Sequence, residues 1–320
     1  MPLEEACKMP DINVWRKYTK YAGILFVAAI IFYLGFKLYR SWNEIPFQQI
    51  QFNYYWAFIS FLGLAASFVC TIIGWQRILS SLNQRISFKK SWWVVTGSYL
   101  AKYIPGHVWV IGGRMYLCKK EGISEKISGT GVILEMTAVL LAVLVVFIMS
   151  FPCLVSHGLP GWIWYLIIPV PFAAVLFFSP ALPKILKWTA DKVLKKEPRL
   201  EMRKRDLLES LGLFILSSIF QGISFFLLIK SVFPLSFAYI PDIIGIFNGS
   251  WAIGFLSFIA PAGLGIREGV LSLFLSHYMP LPVAIIIAAL TRLWMTVFEV
   301  TMALVGLKFM NRGKKRHEKE

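Results

Sequence analysis

Charge is what this chain has least of: Asp, Glu, Lys and Arg together make up 16% of 320 residues, against 57% hydrophobic residues. No soluble domain of this size buries so much apolar surface, which excludes an ordinary globular fold and points to a polytopic membrane protein. Acidic side chains are scarcer still, 17 against 33 Lys and Arg, for a net charge of +16. No polar segment is long enough to build a basic groove, so nucleic acid is excluded as a partner and the excess belongs beside a membrane. Cys7, Cys70, Cys118 and Cys153 fall singly, as do His107, His157, His277 and His317, so neither a disulfide framework nor a metal site is indicated. There is no Gly-x4-Gly-Lys-Ser/Thr phosphate loop, no His-Glu-x-x-His and no Asp-x-Asp. No cofactor is expected, and no constellation reads as an enzyme.

What is present is a series of apolar runs. Residues 1–20 form a mixed-charge lead. Tyr21 to Leu38 reads as the first span, and because it follows Lys17 and Lys20 without a small-residue cleavage site it is expected to remain as an anchor. Further spans are expected at Tyr54 to Trp75, Ile127 to Met149, Trp162 to Phe178, Leu207 to Ile229 and Leu281 to Leu307. Leu182 to Asp206 is a basic connection whose apolar residues recur at helical spacing, as in a helix lying on a membrane surface. From Lys308 the tail is strongly basic and expected to be disordered.

Two stretches carry membrane-like hydrophobicity but the punctuation of broken helices. In the first, Lys102 to Arg114, Pro105-Gly106 interrupts and Gly112-Gly113 follows; in the second, Ile259 to Gly269, the breaks are Pro261, Gly263 and Gly265. Non-helical backbone in a bilayer survives only where protein or a wet cavity satisfies it, so each is read as the tip of a re-entrant hairpin. Most Lys and Arg then fall on one side, which sets both termini in the cytoplasm of a cell-membrane protein. The fold class expected is therefore all-α and polytopic, with about six full spans plus two hairpins in one domain over residues 21–307. Its halves, about 21–150 and 162–307, start from opposite sides, the pattern of an inverted repeat; chance regularity among hydrophobic runs is the competing explanation.

Six ionisable residues lie in or beside the apolar segments: Arg114, Glu135, Arg267, Glu268, Arg292 and Glu299. A charge at the bilayer centre costs roughly 2.5–3.5 kcal/mol on the insertion scale, so these should face one another or a polar cavity. Arg114 and Arg267 each follow a glycine-containing break, where helix-end amides and a guanidinium together suit an anion, phosphate above all. For Glu135 and Glu299, structural pairing competes closely with a direct role.

Tyr103-Ile-Pro-Gly-His-Val-Trp109, Gly113-Arg114, Glu135, Pro261-Ala-Gly-Leu-Gly-Ile-Arg-Glu-Gly269 and Arg292 together resemble the transmembrane region of the lysylphosphatidylglycerol synthase family, also called flippase-like, over about residues 20 to 310. The resemblance implies a protein that moves, or helps to move, a phosphate-bearing lipid between leaflets, either an anionic phospholipid or a polyprenyl-phosphate-linked precursor. The soluble aminoacyl-transferring domain of full-length synthases has no counterpart in this sequence, so translocation rather than lysyl transfer is expected. An accessory subunit serving a glycosyltransferase or synthase partner is the alternative, and a membrane-embedded lipid-modifying transferase a weaker one.

Overall fold

A computed structural model describes residues 51–100, 108–158, 203–256 and 265–317, with a few isolated positions between 32 and 40. The expected span at Trp162 to Phe178, nearly all of that at Tyr21 to Leu38, the basic connection as far as residue 202, and the tips Pro105, Gly106, Pro261 and Gly263 lie outside these residues; the last part of the connection, Lys204 to Asp206, is instead the first turn of a helix that runs to Lys230.

Every regular element among the described residues is helical. In chain order they are α1 (Tyr54–Ser81), α2 (Phe88–Leu100), α3 (Val108–Lys120), α4 (Glu125–Ser156), α5 (Lys204–Lys230), α6 (Ile240–Leu256), α7 (Ile266–Leu275) and α8 (Leu281–His317), with a 3-10 turn at Phe237–Tyr239. Four of them, α1, α4, α5 and α8, are long and apolar enough to cross a membrane, and each contains one of the expected spans. At 13 residues each, α2 and α3 are too short to cross alone.

Local chemistry explains where the helices begin. Asn53 caps α1, its Oδ1 accepting from the amides of Tyr55 and Trp56 at 3.0 and 3.4 Å, and Ser124 caps α4 by accepting from the Ile127 amide at 3.3 Å. Gly265, at φ 80°, opens α7, and the Glu268 carboxylate reaches back to accept from its amide at 2.7 Å. The tail departs from expectation: α8 continues to His317 rather than dissolving at Lys308. Extending an existing helix adds a hydrogen bond per residue without a new nucleus, and cations at a helix C-terminus oppose its dipole favourably.

The longest interface joins α1 to α5, which run antiparallel. The Asn53 amide at the start of α1 donates to the Ser231 carbonyl past the end of α5 at 2.7 Å, and the Arg203 amide at the start of α5 donates to the Ser81 carbonyl at the end of α1 at 3.2 Å. Halfway along, the hydroxyls of Ser67 and Ser217 meet at 2.9 Å. Small residues let the backbones approach. A Cβ added to Gly222 of α5 would sit 2.8 Å from the Ile244 Cα, so α6 crosses there almost backbone to backbone. Around this pair, α4 packs on α6 and α8 packs on α2, while α2 lies against α3 and α6 against α7.

At one end of the bundle a polar cluster ties three elements together. Asp242, at the start of α6, is fully buried. It lies 3.1 Å from Nδ1 of His157 after α4 and accepts from the Tyr278 hydroxyl, in the turn between α7 and α8, at 3.2 Å. Burial and the adjacent Asp242 carboxylate push the Tyr278 phenol above its ordinary pKa.

Candidate functional site

Inside the bundle lies a cavity of about 300 Å³, the low end of the range for small-molecule sites. Hydroxyl and amide groups from the paired helices α1 and α5 form one part of its wall. Ser217 stands within 2.9 Å of both Ser67 and Thr71, Gln221 reaches Ser217 at 3.5 Å, and Asn248 of α6 donates to the carbonyls of Ser218 and Ile244 at 3.3 and 2.8 Å. All five of these side chains, Ser67, Thr71, Ser217, Gln221 and Asn248, line the cavity, with Phe68, Tyr99, Phe247 and Trp251 among the surrounding rings.

Of the six ionisable candidates, Arg267, Arg292 and Glu299 reach this cavity. Arg267 sits in the first turn of α7, its guanidinium 4.9 Å from the Phe247 ring centre. Its Nη1 finds only the sulfur of Met295 at 3.6 Å, a weak acceptor, and its buried Nη2 has no hydrogen-bond partner. The residue is only 9% exposed. A buried guanidinium without a hydrogen-bonded carboxylate is costly and uncommon. Arg292 projects from α8 two turns before Glu299, on the same face, and its Nη1 is 3.6 Å from Oε1 of Glu268, too long for a tight hydrogen bond. Glu268 is thereby shared between Arg292 and the N-terminus of α7.

Arg114 and Glu135 are arranged differently. Arg114 Nη1 donates to Glu135 Oε2 at 2.7 Å and its Nε donates to the Ser98 hydroxyl at 2.7 Å. The guanidinium lies between the rings of Trp75 and Tyr99, at 4.7 and 5.5 Å. Neither residue lines the cavity, whereas Tyr99, whose ring lies against the Arg114 guanidinium, does. Gly113 is an ordinary helical residue of α3, whereas Gly265 is the positive-φ entry to α7 beside Arg267. No group of three or more His, Cys, Asp or Glu side chains among the described residues could hold a metal ion.

Sequence reasoning overlooked the hydroxyl and amide groups. The signal was present, since Ser60, Ser67 and Thr71 in α1 and Ser210, Ser217 and Ser224 in α5 recur at helical intervals within apolar spans. Ser98 and Trp75, which hold Arg114, carried no comparable mark.

Membrane-length helices packed around a cavity that holds a buried guanidinium without a hydrogen-bonded carboxylate define a polytopic α-helical membrane protein. The chain belongs to the family described as the lysylphosphatidylglycerol synthase TM region, whose family model matches residues 21–303. That membership makes it a membrane protein associated with lipid modification. A comparison with curated proteins finds no match.

Proposed function

We propose that the chain is a flippase-like protein that binds the phosphate of a lipid at Arg267 and Arg292 and carries it between leaflets. The observation that carries this reading is the buried Arg267 guanidinium, open to the cavity and lacking a hydrogen-bonded counter-charge. A phosphate oxygen supplies what Nη2 lacks, and Arg292, loosely tied to Glu268, is near enough in the same wall to share the anion. Glu299 sets the charge of the site and disfavours a dianionic guest. Arg114 with Glu135 serves as a fixed post behind Tyr99.

Movement in this reading comes from an inverted repeat. Its support is the reciprocity of the α1–α5 contact: Asn53 bonds Ser231 while Arg203 bonds Ser81, and Ser67 meets Ser217 across an interval of 150 residues, the interval that also separates Asn53 from Arg203 and Ser81 from Ser231. Such exchange of equivalent partners is what a two-fold axis produces. The α4–α6 and α8–α2 contacts are equivalent under the same operation. The pairs α2–α3 and α6–α7 are then the two re-entrant hairpins, entering from opposite faces with a cavity between them, and rocking of one half against the other exposes it to each leaflet in turn. Six full crossings, with the basic flanks and both termini on the cytoplasmic side of the cell membrane, complete the topology.

Native mass spectrometry of the purified protein tests the binding step. Wild type should retain phosphate-bearing lipids through gentle activation, and Arg267→Gln should lose them while keeping its thermal unfolding profile. Equal retention by both would remove Arg267 from the site.

A further inference from the structure

The two sides of the cavity occupy corresponding positions but differ in chemistry. Much of the burial along α4 recurs along α8 at a spacing of 156 residues, that between Val143 and Glu299: Gly131 and Ile287, Ala138 and Trp294, Ala142 and Phe298, and Phe147 and Ala303 are buried in both, and Ile133 and Ala289 are exposed in both, while Leu141 and Leu144 are buried where Val297 and Val300 are exposed. At the same spacing, the α4 residues that line the cavity are Met136, Val139 and Val143, and their α8 counterparts are Arg292, Met295 and Glu299. From the hairpin helices, α3 contributes Val110 and α7 contributes Arg267. Among the described residues, the lining from α3 and α4 is therefore wholly apolar and that from α7 and α8 carries every charge in the cavity wall.

We infer that the α3–α4 side is a subsite for the first carbons of a hydrocarbon chain, so that a phosphate-bearing lipid enters the cavity in one fixed orientation, phosphate against α7 and α8 and chain against α4. The inference rests on the headgroup site proposed above and extends it. An anion flanked by two valines, a methionine and a third valine would meet no donor, whereas methylene groups there lose contact with water and gain packing. A space of about 300 Å³ holds a headgroup and a short length of chain, not a whole lipid. The rest of the chain must leave the cavity for the bilayer, and an apolar wall is the side on which it can do so without desolvating a charge.

Calorimetric titration of the full chain in neutral maltoside micelles with inorganic phosphate and with hexyl phosphate separates the two subsites. Each buried methylene is worth roughly a fourfold gain in affinity, so wild type should prefer hexyl phosphate by about tenfold or more even after partial competition from detergent. Val139→Phe, which fills the apolar side, should remove most of that preference and leave phosphate binding within about twofold; Arg267→Gln should lose both ligands. Val143→Thr, which keeps the volume and adds a hydroxyl, should lower the preference severalfold and serves if Val139→Phe does not fold. Phosphate binding with no preference for the alkyl probe, or a preference that survives both valine substitutions, would overturn the chain subsite alone. If folded wild type binds neither probe, the headgroup site falls and this inference with it.

Discussion

Arg114 and Arg267 are both buried arginines in the wall of one bundle, yet removing their charges should move stability in opposite directions. The Arg114 and Glu135 side chains are 2% and 7% exposed and 2.7 Å apart, with Ser98 satisfying Nε. Breaking a buried pair from one side leaves the other charge uncompensated, at a cost of about 3–5 kcal/mol. Glu135→Gln and Arg114→Gln should each therefore lower the unfolding midpoint in detergent by roughly 5–10 °C. The double variant Arg114→Met/Glu135→Leu removes both charges from an environment of rings and aliphatic groups, and should recover most of the loss. Arg267 has no such pair: its Nη2 is unpartnered and its Nη1 meets a thioether. Arg267→Met, which removes a buried charge that no carboxylate hydrogen-bonds, should leave the midpoint unchanged or raise it. Thermal unfolding of the five proteins, monitored by intrinsic tryptophan fluorescence, makes the comparison directly. A stable Glu135→Gln, a double variant no better than the singles, or an Arg267→Met destabilised as much as Arg114→Gln would refute the division into a structural pair and a poised site.

Three further outcomes follow from the packing. Gly222→Val should destabilise by about 1–3 kcal/mol or more, because the Ile244 Cα lies 2.8 Å from the added Cβ and backbone must move; a chemical denaturation midpoint matching wild type would argue against the close α5–α6 crossing. Asp242→Asn weakens the junction between α4, α6 and the α7–α8 turn and should cost about 1.5–3 kcal/mol, with faster amide hydrogen exchange confined to that end; exchange unchanged there would show that the cluster bears no weight. In a background free of native cysteines, Ser67→Cys/Ser217→Cys should form a disulfide under mild oxidation, since the two hydroxyls are 2.9 Å apart. Failure of that pair to cross-link where a displaced control pair succeeds would place the crossing of α1 and α5 elsewhere.

The spans were readable because a bilayer demands about twenty apolar residues in a row, and α1, α4, α5 and α8 each meet that demand. Their ends were less readable. Tyr54 to Trp75 was expected, but α1 runs on to Ser81, since Gln76 to Ser81 is polar by composition and still continues an established helix. The six charged candidates stood out because charge is rare in apolar sequence, but their division was hidden. Arg114 and Arg267 look alike along the chain, and only the fold brings Glu135, 21 positions on, against Arg114 while leaving Arg267 beside Met295. The hydroxyl part of the wall was missed because Ser and Thr in an apolar helix satisfy themselves on the preceding turn, as Thr71 does on Ser67 and Ser224 on Phe220, and so leave little trace in a hydrophobicity profile. Correspondence between the halves was obscured in a similar way. Val143 and Glu299 share a burial class but no chemistry, so comparing residue types finds little where comparing burial finds a register.

Leaflet transfer in reconstituted vesicles tests the central claim most directly. Phosphatidylglycerol carrying a fluorophore on one chain, placed in both leaflets of vesicles holding wild type or Arg267→Gln, is read by membrane-impermeant reduction of the fluorophore. Wild type should make the inner-leaflet pool reducible at a rate set by transfer, and Arg267→Gln, incorporated equally and as stable as wild type, should leave about half the signal protected. Equal rates for the two proteins would contradict a phosphate carried at Arg267, and a wild type that retains lipid in the mass spectrometer yet moves none would contradict transport and favour an accessory, lipid-holding role.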